Sequence, residues 1–273
     1  MKTLYVSDLD GTLLRSDAAL SRYTCEAIGR LTAAGMLFSY ATARSYVTAS
    51  KVTKGLDAKI PLIVYNGAFI VNNVTGKTLR ANFFGEDGQA LLRDLIAHGV
   101  YPVVYAVAEG KERFSYLPQK CTKETLAFTA TRSGDPRDNP VGEAEELFLG
   151  EIFYFTCIGE AEKLTPLFQK YQHRYHCVFQ KDVYTGDLWL EIMPQAASKA
   201  NAVCQLKELL GCSRVVAFGD GKNDLDMFEV ADEGYAVANA VDELQRAAVA
   251  VIGSNDEDGV ARWLEQHGRF SAF

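Results

Sequence analysis

This amino-acid sequence predicts an α/β fold with an inserted second domain. Short apolar segments alternate with helical patterns up to residue 82, give way to paired strands between 83 and 193, and resume after 194. Strands that alternate with helices form parallel sheets, because right-handed crossovers place the helices on both faces. We therefore expect a parallel-sheet core of residues 1–82 and 194–273, with an α+β domain of residues 83–193 inserted into it.

The first part of the core reads as three strands separated by two helices. The first strand, residues 4–7, precedes a helix that begins after Ser21 and is stopped by Gly35. Serine side chains accept hydrogen bonds at helix starts, and glycine takes the left-handed conformation at helix ends. The elements that follow are a strand at 36–41, a helix at 45–54, a strand at 62–65 and a hairpin of strands 69–71 and 78–81.

The inserted domain shows strands in pairs between helices, a pattern typical of an antiparallel sheet. Residues 133–146 are rich in glycine, proline and aspartate, and they predict a surface loop. The elements predicted in this domain are helix 86–98, strands 102–107 and 113–116, helix 123–130, strand 152–158, helix 161–171, and strands 177–182 and 188–193. The core then resumes with helix 199–209, strand 215–218, a helix from Asn223, and strands 235–237 and 249–252.

The composition narrows the functional classes. With 35 acidic and 28 basic residues the chain has a net charge of −7, which disfavours binding to nucleic-acid backbones. Its six cysteines have no paired spacing, as expected of reduced thiols. The sequence shows neither a leader-like segment nor an apolar run of transmembrane length. We therefore expect a cytoplasmic protein that binds neither nucleic acids nor membranes.

Two carboxylates follow the first strand directly. Asp8 and Asp10 come after the apolar residues 4–6, and Gly11 allows a sharp turn. Ligands of open parallel sheets bind at the carboxyl ends of the strands, so this pair faces a crevice. One carboxylate can attack or bind a metal ion while the other moves protons. An Asp-Gly turn that closes a polar strand end explains the same residues without chemistry.

A second acidic strand end lies more than two hundred residues further on. Residues 219–224 have the sequence GDGKND and follow the predicted strand 215–218. Two acidic strand ends can share one cation, and Mg²⁺ suits a few carboxylates together with water and phosphate. The alternative is a glycine-rich turn in which Asn223 or Asp224 caps a helix.

Two further residues stand at helix starts. Thr42 follows the second strand and can offer its hydroxyl and neighbouring backbone N–H groups to a phosphate, although a helix N-cap explains it equally. Lys199 opens a helix, where the helix dipole disfavours a cation. Its position therefore indicates a purpose other than helix stability.

These features occur together, in one order, at strand ends, and in that combination the chain resembles the haloacid dehalogenase (HAD) superfamily of phosphatases. Residues 8–12 match the first motif, Thr42 the second, Lys199 the third and residues 220–224 the fourth. The inserted domain resembles the C2-type cap of the Cof-type group, whose core is Rossmann-like. Supporting segments are 65–68 (YNGA), 190–194 (LEIMP) and 254–260 (SNDEDGV).

The resemblance implies a Mg²⁺-dependent phosphatase that acts on a small phosphorylated metabolite, with sugar phosphates as the expected class. Asp8 would be the nucleophile that forms an aspartyl-phosphate, and Asp10 the acid and base. The implied catalytic residues are Asp8, Asp10, Thr42 and Lys199. The implied metal ligands are Asp8, Asp10 through its backbone carbonyl, Asp220 and Asp224. The implied phosphate-binding residues are Gly11, Thr42, Ala43, Arg44, Lys199 and Asn223.

One departure from the family pattern is visible, because the second motif usually reads Thr-Gly-Arg. Here Ala43 stands between Thr42 and Arg44, and its Cβ narrows the space through which a substrate approaches the backbone. The hydroxyl and the arginine remain, so we interpret the change as an adjustment of substrate binding.

Two other functions stay open at this point. A mutase would transfer the phosphoryl group to a second sugar hydroxyl through the same aspartyl-phosphate. A non-catalytic protein that binds a phosphorylated metabolite is disfavoured, because paired carboxylates repel phosphate. The cap would choose the leaving group, and its candidate residues, for which packing is the alternative role, are Asp182, Tyr184, Trp189 and Glu191. We expect a monomer or a small homo-oligomer.

Overall fold

Two units make up the chain in the computed structural model, which describes residues 2–56, 59–181 and 185–268. The first unit joins Met1–Ala81 to Ala197–Phe273, and the second is Asn82–Ala196. Both units combine helices with strands, which alternate in the first unit and include strand pairs in the second. The predicted α/β fold class is confirmed.

The strands, numbered along the chain, are β1 (Thr3–Ser7), β2 (Leu37–Tyr40), β3 (Leu62–Val64), β4 (Phe69–Val71), β5 (Thr78–Ala81), β6 (Val103–Ala108), β7 (Lys111–Tyr116), β8 (Asp138–Pro140), β9 (Glu151–Ile158), β10 (His176–Lys181), β11 (Leu188–Met193), β12 (Arg214–Gly219), β13 (Glu233–Val237) and β14 (Ala250–Ile252). The α-helices are α1 (Arg22–Ala33), α2 (Tyr46–Val52), α3 (Glu86–Ala97), α4 (Lys123–Ala130), α5 (Ala161–Tyr171), α6 (Lys199–Leu210), α7 (Leu225–Val230), α8 (Asp242–Ala247) and α9 (Gly259–His267).

A five-stranded parallel sheet forms the centre of the first unit. Its strand order is β14-β13-β12-β1-β2, and every neighbouring pair is parallel. The chain leaves β1 toward β2 on one side and leaves β12 toward β13 on the other, so the order reverses between β1 and β12. Such a switch point, at the carboxyl ends of the strands, is where open α/β sheets bind ligands.

Strand β1, which lies between β12 and β2, is buried along its whole length. Leu4, Tyr5 and Val6 are at most 1% exposed, which explains their continuous apolar character. In the register of the sheet, Ser7 lies opposite Phe218 of β12. The residues that follow these two strands are therefore neighbours at the same edge of the sheet.

The third predicted strand departs from the expected parallel arrangement. β3 makes an isolated parallel bridge to Ala41 through Ile63, but it pairs antiparallel with β4, which pairs with β5. The chain reverses between β3 and β4 because Tyr65, Asn66 and Gly67 all have positive φ, at 52°, 50° and 98°. The hairpin predicted after this strand is confirmed.

The second unit contains a six-stranded sheet with the order β10-β11-β9-β6-β7-β8. Its neighbouring strands are antiparallel, apart from the parallel pair β7 and β8. Helices α3 and α5 pack on one face, where Leu92 and Leu164 join a buried cluster with Phe155 and Leu190. The predicted antiparallel sheet is confirmed.

Residues 133–146 are more ordered than the predicted loop. They contain the short strand β8 and lead into a 3-10 helix, Ala144–Phe148. Arg137 anchors this segment, because its buried guanidinium pairs with Asp135 at 2.7 Å and with Glu112 at 2.6 Å. The sequence pattern of turn residues could not reveal the ion pair with Glu112, which is 25 residues away.

Two helices near the end of the chain, α8 and α9, were not predicted. Neither has a side-chain hydrogen bond at its N-cap, which is Val241 for α8 and Asp258 for α9. Valine cannot cap a helix with its side chain, so the usual start signal is missing before α8, whereas the Asp258 side chain accepts from Arg15 and Thr24 and not from α9. Asp182, Tyr184 and the end of the predicted strand 177–182 lie outside the described residues, whereas Trp189 and Glu191 belong to β11.

No α-helix in the described ranges is both long enough and apolar enough to cross a lipid bilayer.

Replacing Gly67 tests the turn between β3 and β4. A Cβ at this position would lie 2.1 Å from the backbone oxygen of Ser198, and φ is +98°. We expect the left-handed strain alone to lower the free energy of unfolding of Gly67→Ala by about 1–3 kcal/mol. The clash with Ser198 adds to this loss. The urea midpoint measures this loss.

The matched control is Gly29→Ala in α1, where a Cβ would meet no neighbouring atom within 4 Å. Alanine favours the helix there, so the control should gain about 0.5–1 kcal/mol. Equal urea midpoints for the two variants would contradict this account of the turn.

Candidate active site

Asp8 occupies the first position beyond β1 and is 6% exposed. Its backbone N–H donates to the carbonyl of Phe218 at 2.9 Å, which extends the pairing of β1 with β12 by one residue. Ser7 Oγ donates to the Asp8 carbonyl at 2.7 Å. The sheet itself thus holds the Asp8 backbone beside the end of β12.

The loop after β12, which carries the second acidic motif, folds around Asp224. Asp224 is fully buried in the short 3-10 helix Lys222–Asp224. Its Oδ2 accepts hydrogen bonds from the backbone N–H groups of Asp220 and Gly221, at 3.1 and 3.0 Å. A Cβ on Gly219 would lie 2.7 Å from the same oxygen. The glycine and the aspartate are therefore required together for this loop to close.

Lys199 joins the two acidic strand ends. Its Nζ donates to Asp8 Oδ1 at 2.6 Å and to Asp224 Oδ1 at 2.7 Å, and the residue is 1% exposed. It stands at the first position of α6, whose N-cap Ser198 accepts from the Asn201 N–H. Burial opposes the charged ammonium, but Asp224 and Asp8 outweigh it and raise the pKa of Lys199. The lysine therefore stays charged in the folded protein.

The carboxylates of this cluster destabilise one another. Burial raises the pKa of Asp8 well above its usual range, against the effect of Lys199 and together with the charges of Asp224, Asp220 and Asp10. Burial and the charge of Asp224 raise the pKa of Asp220 to about 7. More positive charge than Lys199 supplies is needed to keep all of them ionised.

The donor set fits a divalent cation. Oxygens of Asp8, Asp220 and Asp224 lie within 4.8 Å of one another, the one such acidic cluster found among the described residues. Three carboxylates beside one ammonium leave two negative charges uncompensated. Carboxylate oxygens are the ligands that Mg²⁺ prefers, and a divalent ion would balance the cluster.

The Asp10 carboxylate binds Arg44 and is not one of the three carboxylates whose oxygens lie within 4.8 Å of one another. The guanidinium contacts both carboxylate oxygens, with Nε to Oδ2 at 2.8 Å and Nη2 to Oδ1 at 2.6 Å. Both side chains are about a quarter exposed, at 23% and 24%. Arg44 was predicted to bind phosphate, whereas the structure pairs it with the predicted acid and base.

Thr42 is fully buried between β2 and α2. Its Oγ1 accepts from the Arg44 N–H at 3.1 Å, and its own N–H donates to the Ile63 carbonyl at 3.1 Å. The interpretation of Thr42 as a helix N-cap is wrong, because Ser45 caps α2 by accepting from the Thr48 N–H. Thr42, Ala43 and Arg44 form a turn, and the Arg44 side chain at its end contacts the Asp10 carboxylate.

Gly11 and Asn223, both predicted to bind phosphate, lie in the two strand-end loops. Gly11 has φ of +80°, and a Cβ there would be 2.4 Å from Asp220 Oδ2. Asn223 Oδ1 would lie 2.6 Å from a Cβ on Gly221, so this side chain covers its own loop. Gly11 is therefore needed for the close approach of the two loops, whereas at Gly221 the Asn223 side chain could move aside.

Two residues of the site were not singled out from the sequence. Thr12 is 1% exposed and donates from Oγ1 to Asp220 Oδ1 at 2.6 Å, which links the two acidic loops directly. Asn239 donates from Nδ2 to the Gly11 carbonyl at 2.7 Å. Thr12 belongs to the first acidic motif, and Asn239 follows β13. A search for polar residues after every strand would have found both.

Comparison with protein families gives one match over nearly the whole chain. The model described as haloacid dehalogenase-like hydrolase matches residues 5–264. YwtE of Bacillus subtilis, a 5-amino-6-(5-phospho-D-ribitylamino)uracil phosphatase, is 29% identical over 278 residues, covering 95% of this chain and 96% of its own. YbjI of Escherichia coli, which bears the same enzyme name, is 27% identical over 266 residues, covering 94% and 93%.

Solved structures share the fold. TM0651 from Thermotoga maritima aligns with a TM-score of 0.78 at 23% identity, covering 99% of both chains. A haloacid dehalogenase-like hydrolase from Bacillus subtilis aligns with a TM-score of 0.79 at 23% identity, covering 98% of this chain and all of the other.

Thr12→Val tests the link between the acidic loops. The variant keeps the shape of the side chain but removes the donor that orients Asp220. Partners of this kind change metal affinity about 10–100-fold, so we expect a Mg²⁺ midpoint about 10-fold higher. The midpoint is read from the rise in melting temperature as Mg²⁺ is added.

Thr53→Val is the matched control, because this buried threonine donates its hydroxyl to the Ala49 carbonyl in the same unit. It should leave the midpoint unchanged. Identical midpoints for both variants and the wild type would show that Thr12 does not orient a metal ligand.

Proposed function

We propose that this chain, which belongs to the haloacid dehalogenase-like hydrolase family and is a phosphatase, is a Mg²⁺-dependent enzyme that hydrolyses small phosphomonoesters through an aspartyl-phosphate. One observation carries the proposal. Lys199 bridges Asp8 and Asp224 at 2.6 and 2.7 Å inside a buried acidic cluster. This arrangement suits a nucleophile, a cation site and a positive charge for phosphoryl oxygens.

In the proposed reaction Asp8 attacks phosphorus and the bond from phosphorus to the ester oxygen breaks. Asp10 donates a proton to the departing alkoxide. Asp10 then takes a proton from the water that attacks the aspartyl-phosphate, which restores Asp8 and releases phosphate. Lys199 offsets the charge of the phosphoryl oxygens as they approach Asp8.

Arg44 has a specific part in this scheme. Because it contacts both oxygens of Asp10, it holds that carboxyl group in one orientation. Thr42 Oγ1 accepts from the Arg44 N–H and so holds the backbone of the arginine in place. We propose that Thr42, Ala43 and the backbone around Gly11 receive the phosphate beside them, with Asn223 at the edge of the site.

A cation would be held by Asp8, Asp220, Asp224 and the backbone carbonyl of Asp10. When bound, Mg²⁺ neutralises charge so that an anionic carboxylate can approach an anionic phosphate. The described acidic cluster supports this assignment, because its charge is compensated only in part by Lys199.

The proposed substrates are phosphate esters of sugars and sugar alcohols. Three relatives support this class, because YwtE, YitU and YbjI are named for a phosphoribityl compound, at 29%, 26% and 27% identity. We propose that the second unit, Asn82–Ala196, selects the leaving group. We also propose a cytoplasmic enzyme that acts as a monomer or a small homo-oligomer.

Asp8→Asn tests the nucleophile. The amide cannot form the aspartyl-phosphate, so phosphate release from a panel of sugar and sugar-alcohol phosphates with Mg²⁺ should fall at least about 10³-fold. Asp17→Asn, at an exposed aspartate of the same unit, is the control and should keep full activity. Equal rates for Asp8→Asn and the wild type would exclude Asp8 as the nucleophile.

Removal of the metal tests the cofactor. Dialysis against a chelator should abolish phosphate release, and added Mg²⁺ should restore it, because the acidic cluster repels phosphate without a cation. Undiminished hydrolysis after chelation would reject the metal. Transfer of labelled phosphate between sugar hydroxyls, with little free phosphate, would instead identify a mutase.

A further inference from the structure

The loop after β13, residues 238–241, contacts both acidic strand ends. Asn239 Nδ2 donates to the Gly11 carbonyl at 2.7 Å. Two residues later, the Val241 N–H donates to the Asp220 carbonyl at 2.9 Å. One short segment therefore holds the backbone of the loop that carries Asp10 and the backbone of the loop that begins at Asp220.

The orientation of the Asn239 amide follows from its two partners. Its Oδ1 accepts from the Asn255 N–H at 3.0 Å, and a backbone N–H can only face the oxygen of an amide. The nitrogen must then face the Gly11 carbonyl, which only accepts. Asn255 is 5% exposed and also donates from Nδ2 to the Leu14 carbonyl at 3.0 Å. The segment from Gly11 to Leu14 is therefore held by hydrogen bonds to the carbonyls at both of its ends.

The Gly11 carbonyl is a sensitive place for such a contact. It belongs to the peptide group between Gly11 and Thr12, and Thr12 donates to Asp220 Oδ1 at 2.6 Å. Gly11 has φ of +80° and no Cβ, so side-chain sterics do not restrict this peptide to one orientation. The Asn239 amide thus restrains the peptide that sets both the direction of the Thr12 hydroxyl and the path of the chain from Asp10.

We infer that Asn239 is a positioning residue for phosphoryl transfer, acting through the Gly11 peptide on Asp10 and, by way of Thr12, on Asp220. The inference rests on the proposed hydrolysis at Asp8 for its kinetic readout and on cation binding by the acidic cluster for a second readout. Asn239 does not need to touch substrate in this role. Loss of the Asn239 side chain lowers the rate at which the bound ester reacts more than it weakens the binding of the ester.

The experiment compares three variants of the full chain: Asn239→Ala, Asn239→Asp and Gln245→Ala. Aspartate keeps the acceptor for the Asn255 N–H but cannot donate to Gly11. Gln245 is the matched control, because its amide donates to the carbonyls of Ala238 and Ala240, at 3.0 and 2.9 Å, in the same loop. The probes are para-nitrophenyl phosphate with Mg²⁺ for turnover, and Mg²⁺ alone for thermal stabilisation.

We expect both Asn239 variants to lower kcat about 10-fold with KM within about twofold of the wild type, as for other residues that orient metal ligands. Their Mg²⁺ midpoints without ester should rise, whereas Gln245→Ala should match the wild type in both measurements. Wild-type kcat and midpoint in Asn239→Asp would overturn the inference, because the Gly11 contact would then have no role. Equal losses in Gln245→Ala would overturn it as well, since the loop alone would matter.

The two proposals fail separately. If the wild type binds Mg²⁺ but releases no phosphate from para-nitrophenyl phosphate, hydrolysis of this ester is rejected. The Mg²⁺ midpoints then decide the role of Asn239, which a shift in both of its variants supports and an unchanged midpoint overturns. A wild type that neither binds Mg²⁺ nor turns over the ester overturns both.

Discussion

The buried contact of Lys199 with Asp8 and Asp224 is the interaction on which the site depends. It joins three segments that are far apart in sequence, namely the end of β1, the start of α6 and the loop after β12. A buried charge is costly unless it is paired and hydrogen-bonded, so removal of any partner leaves the others uncompensated. The requirement for charge balance therefore fixes the positions of all three segments relative to one another.

The rest of the first unit serves this arrangement. The switch in strand order between β1 and β12 brings the two acidic strand ends together. The turn after β3 packs Gly67 against Ser198, the residue that caps α6 and precedes Lys199. The loop after β13 holds the acidic loops through Asn239 and Val241. Arg44 pairs with the Asp10 carboxylate and offsets its negative charge beside the acidic cluster.

Much of the fold could be predicted because the local signals agree with the tertiary structure. Ser21 caps α1 by accepting from the Thr24 N–H, as its position before a helical pattern indicates. The predictions were wrong or incomplete where a distant contact decides the outcome. Arg137 orders a segment that reads as a loop, and successive positive φ values turn β3 into an antiparallel partner of β4. Helix α8 follows Val241, which has no capping side chain, and the Asp258 side chain before α9 binds Arg15 and Thr24 and does not cap the helix.

The sequence by itself determined the α/β class and the residue types of the site, because strand periodicity and short acidic motifs are local properties of the chain. Only the tertiary structure decided which groups pair. It matched Lys199 with Asp8 and Asp224, Arg44 with Asp10, and Thr12 with Asp220. These choices depend on distances of a few ångströms between strand ends and on the energy of buried charge. Neither can be read from the sequence, because the paired residues lie between 25 and 208 positions apart.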